Sequence, residues 1–181
     1  MMRIKGTFIV WTLVLSGVLG APSAHSGGRS NPDDAESLLA KQVLNKATAF
    51  LQARQSADGA WRSETYGLLK SGQSLTPFVL FALTDSLTDK RQPNEESIQK
   101  AISFLRAKSD PNGVHGRADP DFLDYPNYST AYALRCFLRF GNADDQARIG
   151  KMTSYLEAQQ FSEKAGFEPD SPAYGGWGFG I

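Results

Sequence analysis

Three aspartates stand close together just before a predicted helix and are the side chains best suited to chemistry. They are Asp119, Asp121 and Asp124. Paired carboxylates can act as a general acid and base, or they can bind a cation. Aspartates beside proline and asparagine are also ordinary turn-forming residues. The cluster is therefore a weak catalytic candidate, and a structural role in the turn is the favoured interpretation.

Few residues could hold a metal ion. Cys136 is the single cysteine, and the two histidines are His25 and His115. A zinc site needs several converging cysteine, histidine or acidic ligands. We therefore expect no metal site and no cofactor. Cys136 lies in an apolar segment, which favours a buried thiol, and a lone cysteine can form no intrachain disulfide.

The overall charge gives no reason to expect nucleic acid as a partner. The 181 residues include 19 basic and 19 acidic side chains, and the hydrophobic fraction of 41% is enough for a packed core. We expect a folded protein that makes no contact with nucleic acid.

The N-terminus has the layout of a secretory signal peptide. Two basic residues precede an uncharged run from Thr7 to Gly20, and small residues follow. The run is shorter than a typical transmembrane helix, so we expect cleavage near residue 26 and no stable membrane span afterwards, with an uncleaved anchor as the alternative. The predicted divisions are a signal peptide at 1–26, a lead-in at 27–36 and repeats at 37–181. The protein would then be exported to the periplasm, the medium or the cell surface.

Two sequence elements recur at a fixed offset. Lys46–Arg54 is similar to Lys100–Lys108 and to Lys151–Gln159, with offsets of 54 and 51 residues. Thr76–Leu83 is similar to Thr130–Phe137, again 54 residues apart. Two separate segments that share one offset indicate an internal repeat.

Both elements have helical periodicity. Leu39, Val43, Ala47 and Phe50 fall on one face of a helix. The second element is apolar on almost every side, as expected of an inner helix, whereas the first carries a polar face typical of an outer helix. No long stretch alternates with the period of a strand, so the sequence predicts an all-α fold.

Capping residues predict where several helices begin and end. Asn94 and Asn142 are predicted N-caps, and Thr76 is a predicted cap with proline at the first helical position. A helix is predicted at Ser129–Phe140, with Gly141 ending it in a left-handed conformation.

Each copy of the first element leads into a turn that contains glycine and an aromatic residue. A glutamine at the end of one helix can bind backbone groups at the start of the next, and a tryptophan can stack over it. Glycine permits the tight backbone path between them. The residues predicted to hold the turns structurally are Gln55, Gly59, Trp61, Gly113, His115, Gln160, Gly175 and Trp177.

The first turn resembles the Gln–Trp motif of squalene cyclases. Phe50–Trp61 matches the pattern aromatic-Leu-x3-Gln-x3-Gly-x-Trp in full, the second copy has Ser109 and His115 in place of Gln and Trp, and the third inserts Phe161–Tyr174. The resemblance, to the terpenoid cyclase and protein prenyltransferase superfamily, implies an α/α-toroid in which the motif braces outer helices. The chain supplies about two and a half helix pairs, so we expect an incomplete ring, a fragment of a longer protein, and possible self-association through the open ends.

The acid motif of these cyclases is missing. Where the family has Asp-x-Asp-Asp-Thr-Ala, this chain matches only Thr130 and Ala131 and has Pro126, Tyr128 and Ser129 in place of the aspartates. The prenyltransferase zinc ligands are absent too. The sequence therefore leaves enzymatic activity open.

Three functions are compatible with the sequence. The favoured one is a squalene-cyclase-like binding or scaffold toroid outside the cytoplasm, with an apolar or isoprenoid ligand. The alternatives are a fragment of a terpenoid-cyclase-like enzyme whose catalytic acid lies in missing repeats, and an exported α/α-barrel that acts on polysaccharide.

Overall fold

The computed structural model of the chain describes residues 32–85, 93–117 and 124–180. The predicted signal peptide, Asp119 and Asp121 lie outside the described residues.

The described residues form five α-helices and no strand, which confirms the all-α prediction. The helices are α1 (Pro32–Ala53), α2 (Leu75–Asp85), α3 (Glu95–Lys108), α4 (Pro126–Phe140) and α5 (Gln146–Ala158). Short 3₁₀ turns occur at Gly67–Leu69, Ala143–Asp145 and Glu163–Ala165.

Helix α4 is the centre of the packing. It contacts α2, α3 and α5, and α2 also contacts α3. The core between these helices includes Leu80, Ile102, Leu105, Phe137 and Met152, all almost fully buried. Cys136 is buried among them as predicted, and burial raises the pKa of its thiol to about 12.

Helix α1 is attached to this core by few of its side chains. Thr48 is buried and Leu51 packs against the core, but Leu39, Val43 and Phe50 are more than half exposed. The apolar face read from the sequence is therefore largely open to solvent in this structure.

Helix starts follow the capping residues in part. The Asn94 side chain accepts a hydrogen bond from the backbone N–H of Ser97 at 2.8 Å, so the predicted cap is confirmed. Asn142 forms a capping box at the 3₁₀ turn that precedes α5. Thr76 is not a cap, because α2 begins one residue earlier.

The predicted start of α4 was wrong, whereas its predicted last residue, Phe140, is confirmed. The helix begins at Pro126 and not at Ser129, because proline suits the first helical turn. Gly141 has φ −71° and an extended conformation, so the left-handed cap does not form. A side chain there would collide with the carbonyl oxygen of Phe137, which accounts for the glycine by close approach. No helix among the described residues is long and apolar enough to span a membrane.

Candidate functional site

Gln55 joins the end of α1 to the beginning of α3. Its Nε2 donates to the carbonyl oxygen of Gly59 at 3.0 Å and to that of Ser97 at 2.9 Å. The Ser97 hydroxyl in turn donates to Gln55 Oε1. The side chain therefore bridges the end of α1 and the start of α3 and fixes the turn that follows α1.

Gly59 allows this turn to lie directly against α3. Its φ of +89° is a conformation that favours glycine, and a Cβ there would lie 2.3 Å from the carbonyl carbon of Lys100. The close contact between the turn and the next outer helix therefore depends on the missing side chain.

Trp61 ties the turn to both helices of its repeat. The indole Nε1 donates to the Leu51 carbonyl oxygen at 2.6 Å, and the backbone N–H donates to Thr76 Oγ1 at 3.0 Å. Since the side chain is only 2% exposed, its role in this structure is packing and hydrogen bonding within the turn.

The second turn makes the equivalent hydrogen bonds with different side chains. The backbone N–H of His115 donates to Thr130 Oγ1 at 3.0 Å, as Trp61 does to Thr76. The His115 Nε2 lies 2.8 Å from Ser109 Oγ, and that hydroxyl donates to the Leu105 carbonyl oxygen at 3.1 Å. A histidine and a serine together therefore replace the single indole hydrogen bond of the first turn.

This arrangement fits one tautomer of His115. With the Ser109 hydroxyl donating to Leu105, the imidazole Nε2 carries the hydrogen that reaches Ser109. The Nδ1 atom is buried without a partner. Burial, with a contribution from Arg148, lowers the pKa of His115 from 6.5 to about 3, so the ring is neutral.

The third turn repeats the internal bonds of the first. Gln160 Nε2 donates to the Gly175 carbonyl oxygen at 3.0 Å, and Trp177 Nε1 donates to that of Leu156 at 2.7 Å. Trp177 is nevertheless 50% exposed. The 14 residues that separate Gln160 from Gly175, against three between Gln55 and Gly59, therefore do not prevent these two hydrogen bonds from forming.

Asp124, one of the three candidate catalytic aspartates, is fully buried between α2 and α4. Its carboxylate accepts hydrogen bonds from Ser71 Oγ at 2.7 Å, from the Ser74 N–H at 3.2 Å and from the Ser74 hydroxyl at 2.7 Å. Ser74 immediately precedes α2, so the carboxylate acts as an N-terminal acceptor for that helix. Through these hydrogen bonds, Asp124 links the residue pair just before α4 to the segment that leads into α2.

Among the described residues, no three histidine, cysteine, aspartate or glutamate side chains come together as a metal-binding group. Asp119 and Asp121 lie outside the described residues, so the structure does not place them beside Asp124.

Four aromatic side chains of α2 and α4 form a surface that the sequence reasoning missed. We call Phe78, Phe81, Tyr128 and Tyr132 the aromatic surface. Ring centroids are 5.1 Å apart for Phe78 and Tyr132, and 4.9 Å apart for Tyr128 and Tyr132. Phe78 and Tyr128 are 40% and 49% exposed. The i, i+4 spacing of the two tyrosines and the i, i+3 spacing of the two phenylalanines were the signals available in the sequence.

Polar groups lie at both ends of this surface. The hydrogen bond to Tyr132 raises the pKa of Tyr128 above its usual value. At the other end the Arg135 guanidinium lies 3.7 Å from the centre of the Phe81 ring, within cation–π distance. The surface can therefore offer stacking to an apolar molecule and a positive charge to one end of it.

An apolar groove of about 530 Å³ lies beside the first turn of α4 and shares Tyr128 with the aromatic surface. Its lining residues are Asn127, Tyr128, Ala131, Leu156, Trp177, Gly178 and Phe179. No acidic or basic side chain lines it.

Comparisons with protein families, curated proteins and solved structures found no match to this chain.

Proposed function

We propose that this chain is a non-catalytic binding module of the squalene-cyclase-like α/α-toroid type and that its aromatic surface holds an apolar ligand. The observation that carries the proposal is the contiguous set of partly exposed rings on α2 and α4. Exposed aromatic rings in contact with one another are a common feature of binding sites for apolar molecules. The hydrogen bonds of Gln55 and Trp61 support the toroid resemblance, because they join helix ends in the way the motif implies.

The described residues favour binding over catalysis. Asp124 is fully buried and accepts hydrogen bonds from two serines, which leaves no approach for a substrate. His115 is buried as well, and its pKa of about 3 keeps the ring neutral near pH 7, so it is out of reach of a substrate and is not an imidazolium acid. Neither residue lies on the aromatic surface.

The geometry favours an elongated ligand with an anionic end. Tyr128, Tyr132 and Arg135 follow one another along one face of α4, so the rings lead to a guanidinium group. An isoprenoid chain would stack on the rings, and a phosphate or carboxylate would bind the arginine.

Calorimetric titration of the full chain with farnesol and with farnesyl diphosphate tests this proposal. Replacing both Phe78 and Tyr128 by alanine removes two exposed rings and should weaken binding of both compounds at least about tenfold, since each aromatic contact contributes on the order of 1 kcal/mol. Arg135→Gln should weaken only the diphosphate.

Tyr66→Ala is the matched control, because Tyr66 is 68% exposed and does not belong to the aromatic surface. Its affinity should equal that of the parent chain. Heat of binding that appears only with an oligosaccharide such as cellohexaose, or affinity that is equal in the double variant, would refute the isoprenoid-binding proposal.

The proposed location is outside the cytoplasm. It rests on the basic start and the uncharged run from Thr7 to Gly20, both outside the described residues. N-terminal sequencing of the protein recovered from the producing cells checks it: a new terminus near residue 27 supports export, and an intact Met1 in the cytoplasmic fraction opposes it.

A further inference from the structure

Each of the first two turns packs on the next outer helix at the same position of the repeat. A Cβ at Gly59 would lie 2.3 Å from the carbonyl group of Lys100, and a Cβ at Gly113 would lie 3.1 Å from the Cβ of Lys151. Lys100 and Lys151 correspond to each other in the repeat. The contact between turn and helix is therefore a repeating interface.

A second contact recurs beside the first. The Arg62 guanidinium lies 5.3 Å from the centre of the Phe104 ring, and the Arg117 guanidinium lies 5.2 Å from that of Tyr155. Phe104 and Tyr155 occupy the same position of the repeat. In both cases a residue just after the turn covers an aromatic ring of the next outer helix.

Gly175 of the third turn packs on no described helix, whereas the residues after Trp177 contact the start of α4. The Asn127 N–H donates to the Phe179 carbonyl oxygen at 3.0 Å, and the Tyr125 and Phe179 rings lie 5.4 Å apart. Gly175 has φ +78°, close to the values at Gly59 and Gly113, yet a Cβ there would meet no described atom within 4 Å. Phe179 follows Trp177 by two positions, as Arg117 follows His115, and it is 75% exposed. We call Gly175 and Phe179 the turn surface.

Helix α1 carries the matching positions. Lys46, Ala47 and Phe50 correspond to Lys100, Ala101 and Phe104 of α3. Ala101 and Phe104 are buried, whereas Ala47 is exposed and Phe50 is 57% exposed. We call Lys46, Ala47 and Phe50 the α1 surface.

The apolar groove also lies at a position that repeats within the chain, this time on α2 and α4. Ala131 lines the groove and corresponds to Pro77 of α2. At Pro77 the equivalent position is filled by α4, whose Cys136 Sγ donates to the Pro77 carbonyl oxygen at 3.4 Å. The groove therefore lies where a further inner helix would pack, and its lining is apolar as such packing requires.

We propose that copies of this chain associate head to tail, with the turn surface of one copy packed on the α1 surface of the next and α2 of that copy placed in the groove. The contact continues the repeat interface seen twice within the chain. It is heterologous, so it produces a ring or an open row of subunits. It goes beyond the proposed ligand site, because the turn surface and the α1 surface share no residue with the aromatic surface. The groove and the inserted helix do share residues with it, since Tyr128 lines the groove and Phe78 and Phe81 lie on α2.

Sedimentation equilibrium of the full chain over a range of concentrations tests the proposal. The parent chain should form dimers and larger species. Phe50→Glu and Phe179→Glu, each tested alone, should raise the apparent dissociation constant at least about tenfold, because each places a charge in an apolar contact. An equimolar mixture of the two variants should form dimers and nothing larger, since one intact turn surface and one intact α1 surface remain.

Leu138→Glu is the control, because Leu138 is 66% exposed on α4 and belongs to neither surface. Equal weakening by this control would show that association is nonspecific and would overturn the proposal. A monomeric parent chain, or a mixture that stays monomeric, would overturn it as well. The ligand titration repeated on Phe50→Glu separates the two proposals, because the aromatic surface is unchanged in that variant.

Discussion

His115 shows how one residue can keep a backbone position while changing the chemistry of a motif. It stands where the first turn has a tryptophan, and its backbone N–H makes the bond to Thr130 that Trp61 makes to Thr76. The smaller ring does not reach the carbonyl group of Leu105, and Ser109 fills the gap. His115 and Ser109 therefore act together, since both are needed to replace the hydrogen bond that the tryptophan makes in the first turn.

The buried imidazole should make the stability of the fold depend on pH. The pKa of His115 is about 3 in the folded chain and 6.5 when exposed, so the unfolded chain takes up the proton first as the pH falls. The stabilisation is complete above pH 6.5 and is lost progressively towards pH 3. Between pH 7 and pH 5 the free energy of unfolding should fall by about 2 kcal/mol from this residue.

Urea unfolding of the parent chain and of His115→Gln at pH 7 and pH 5 measures this effect. Glutamine can still donate to Ser109 but does not titrate. The variant should lose about 2 kcal/mol less than the parent between the two pH values. Identical losses would mean that folding does not lower the pKa of His115.

At the scale of the elements, hydrogen bonds at the ends of α1 and α5 connect each helix to the turn that follows it. Trp61 and Trp177 make the same bond, from the indole to a leucine carbonyl, with lengths of 2.6 Å and 2.7 Å. They differ in burial, at 2% and 50% exposure. Comparing the two tryptophans therefore shows how much burial adds to the contribution that the hydrogen bond makes to stability.

Trp61→Phe should destabilise the chain more than Trp177→Phe does. In the first variant the Leu51 carbonyl group loses the indole hydrogen bond beside a buried ring and keeps only the Arg54 N–H, which costs about 1–3 kcal/mol. In the second, water can reach the Leu156 carbonyl group, so the loss should stay below about 1 kcal/mol. Thermal unfolding of the two variants side by side checks the order, and equal losses would contradict it.

At the scale of the whole molecule, the repeats are joined by contacts between residues far apart in sequence. Gln55 bonds the start of α3, and Asp124 bonds the residues that lead into α2. The turn that contains Gly59 also lies directly on α3. These contacts make the repeats depend on one another for stability.

Replacing turn glycines by alanine should reveal which turns are covered. Gly59→Ala adds backbone strain and forces a methyl group into the backbone of α3, so we expect a loss of about 3 kcal/mol or more. Gly175→Ala adds only the strain, about 1 kcal/mol, when measured on the monomer. Denaturant titrations at low protein concentration compare them, and a Gly175→Ala loss as large as that of Gly59→Ala would contradict the open third turn.

The sequence by itself determined the features that depend on local pattern. Helical periodicity gave the all-α fold, the offset of 54 residues gave the repeat, and Asn94 marked a helix start. The apolar neighbours of Cys136 indicated its burial. Each of these follows from residues within a few positions of one another, where spacing and side-chain type are enough.

Only the tertiary structure decided which of those local features are covered and which are open. Asp124 is buried because serines 50 or more residues earlier in the chain meet its carboxylate. The rings of Phe78 and Tyr132 touch because α2 packs on α4, and Phe50 is exposed because no turn of the described residues packs on α1 as one does on α3. Contacts between distant segments set burial and partners, and a periodic pattern carries no information about which neighbour fills the space beside it.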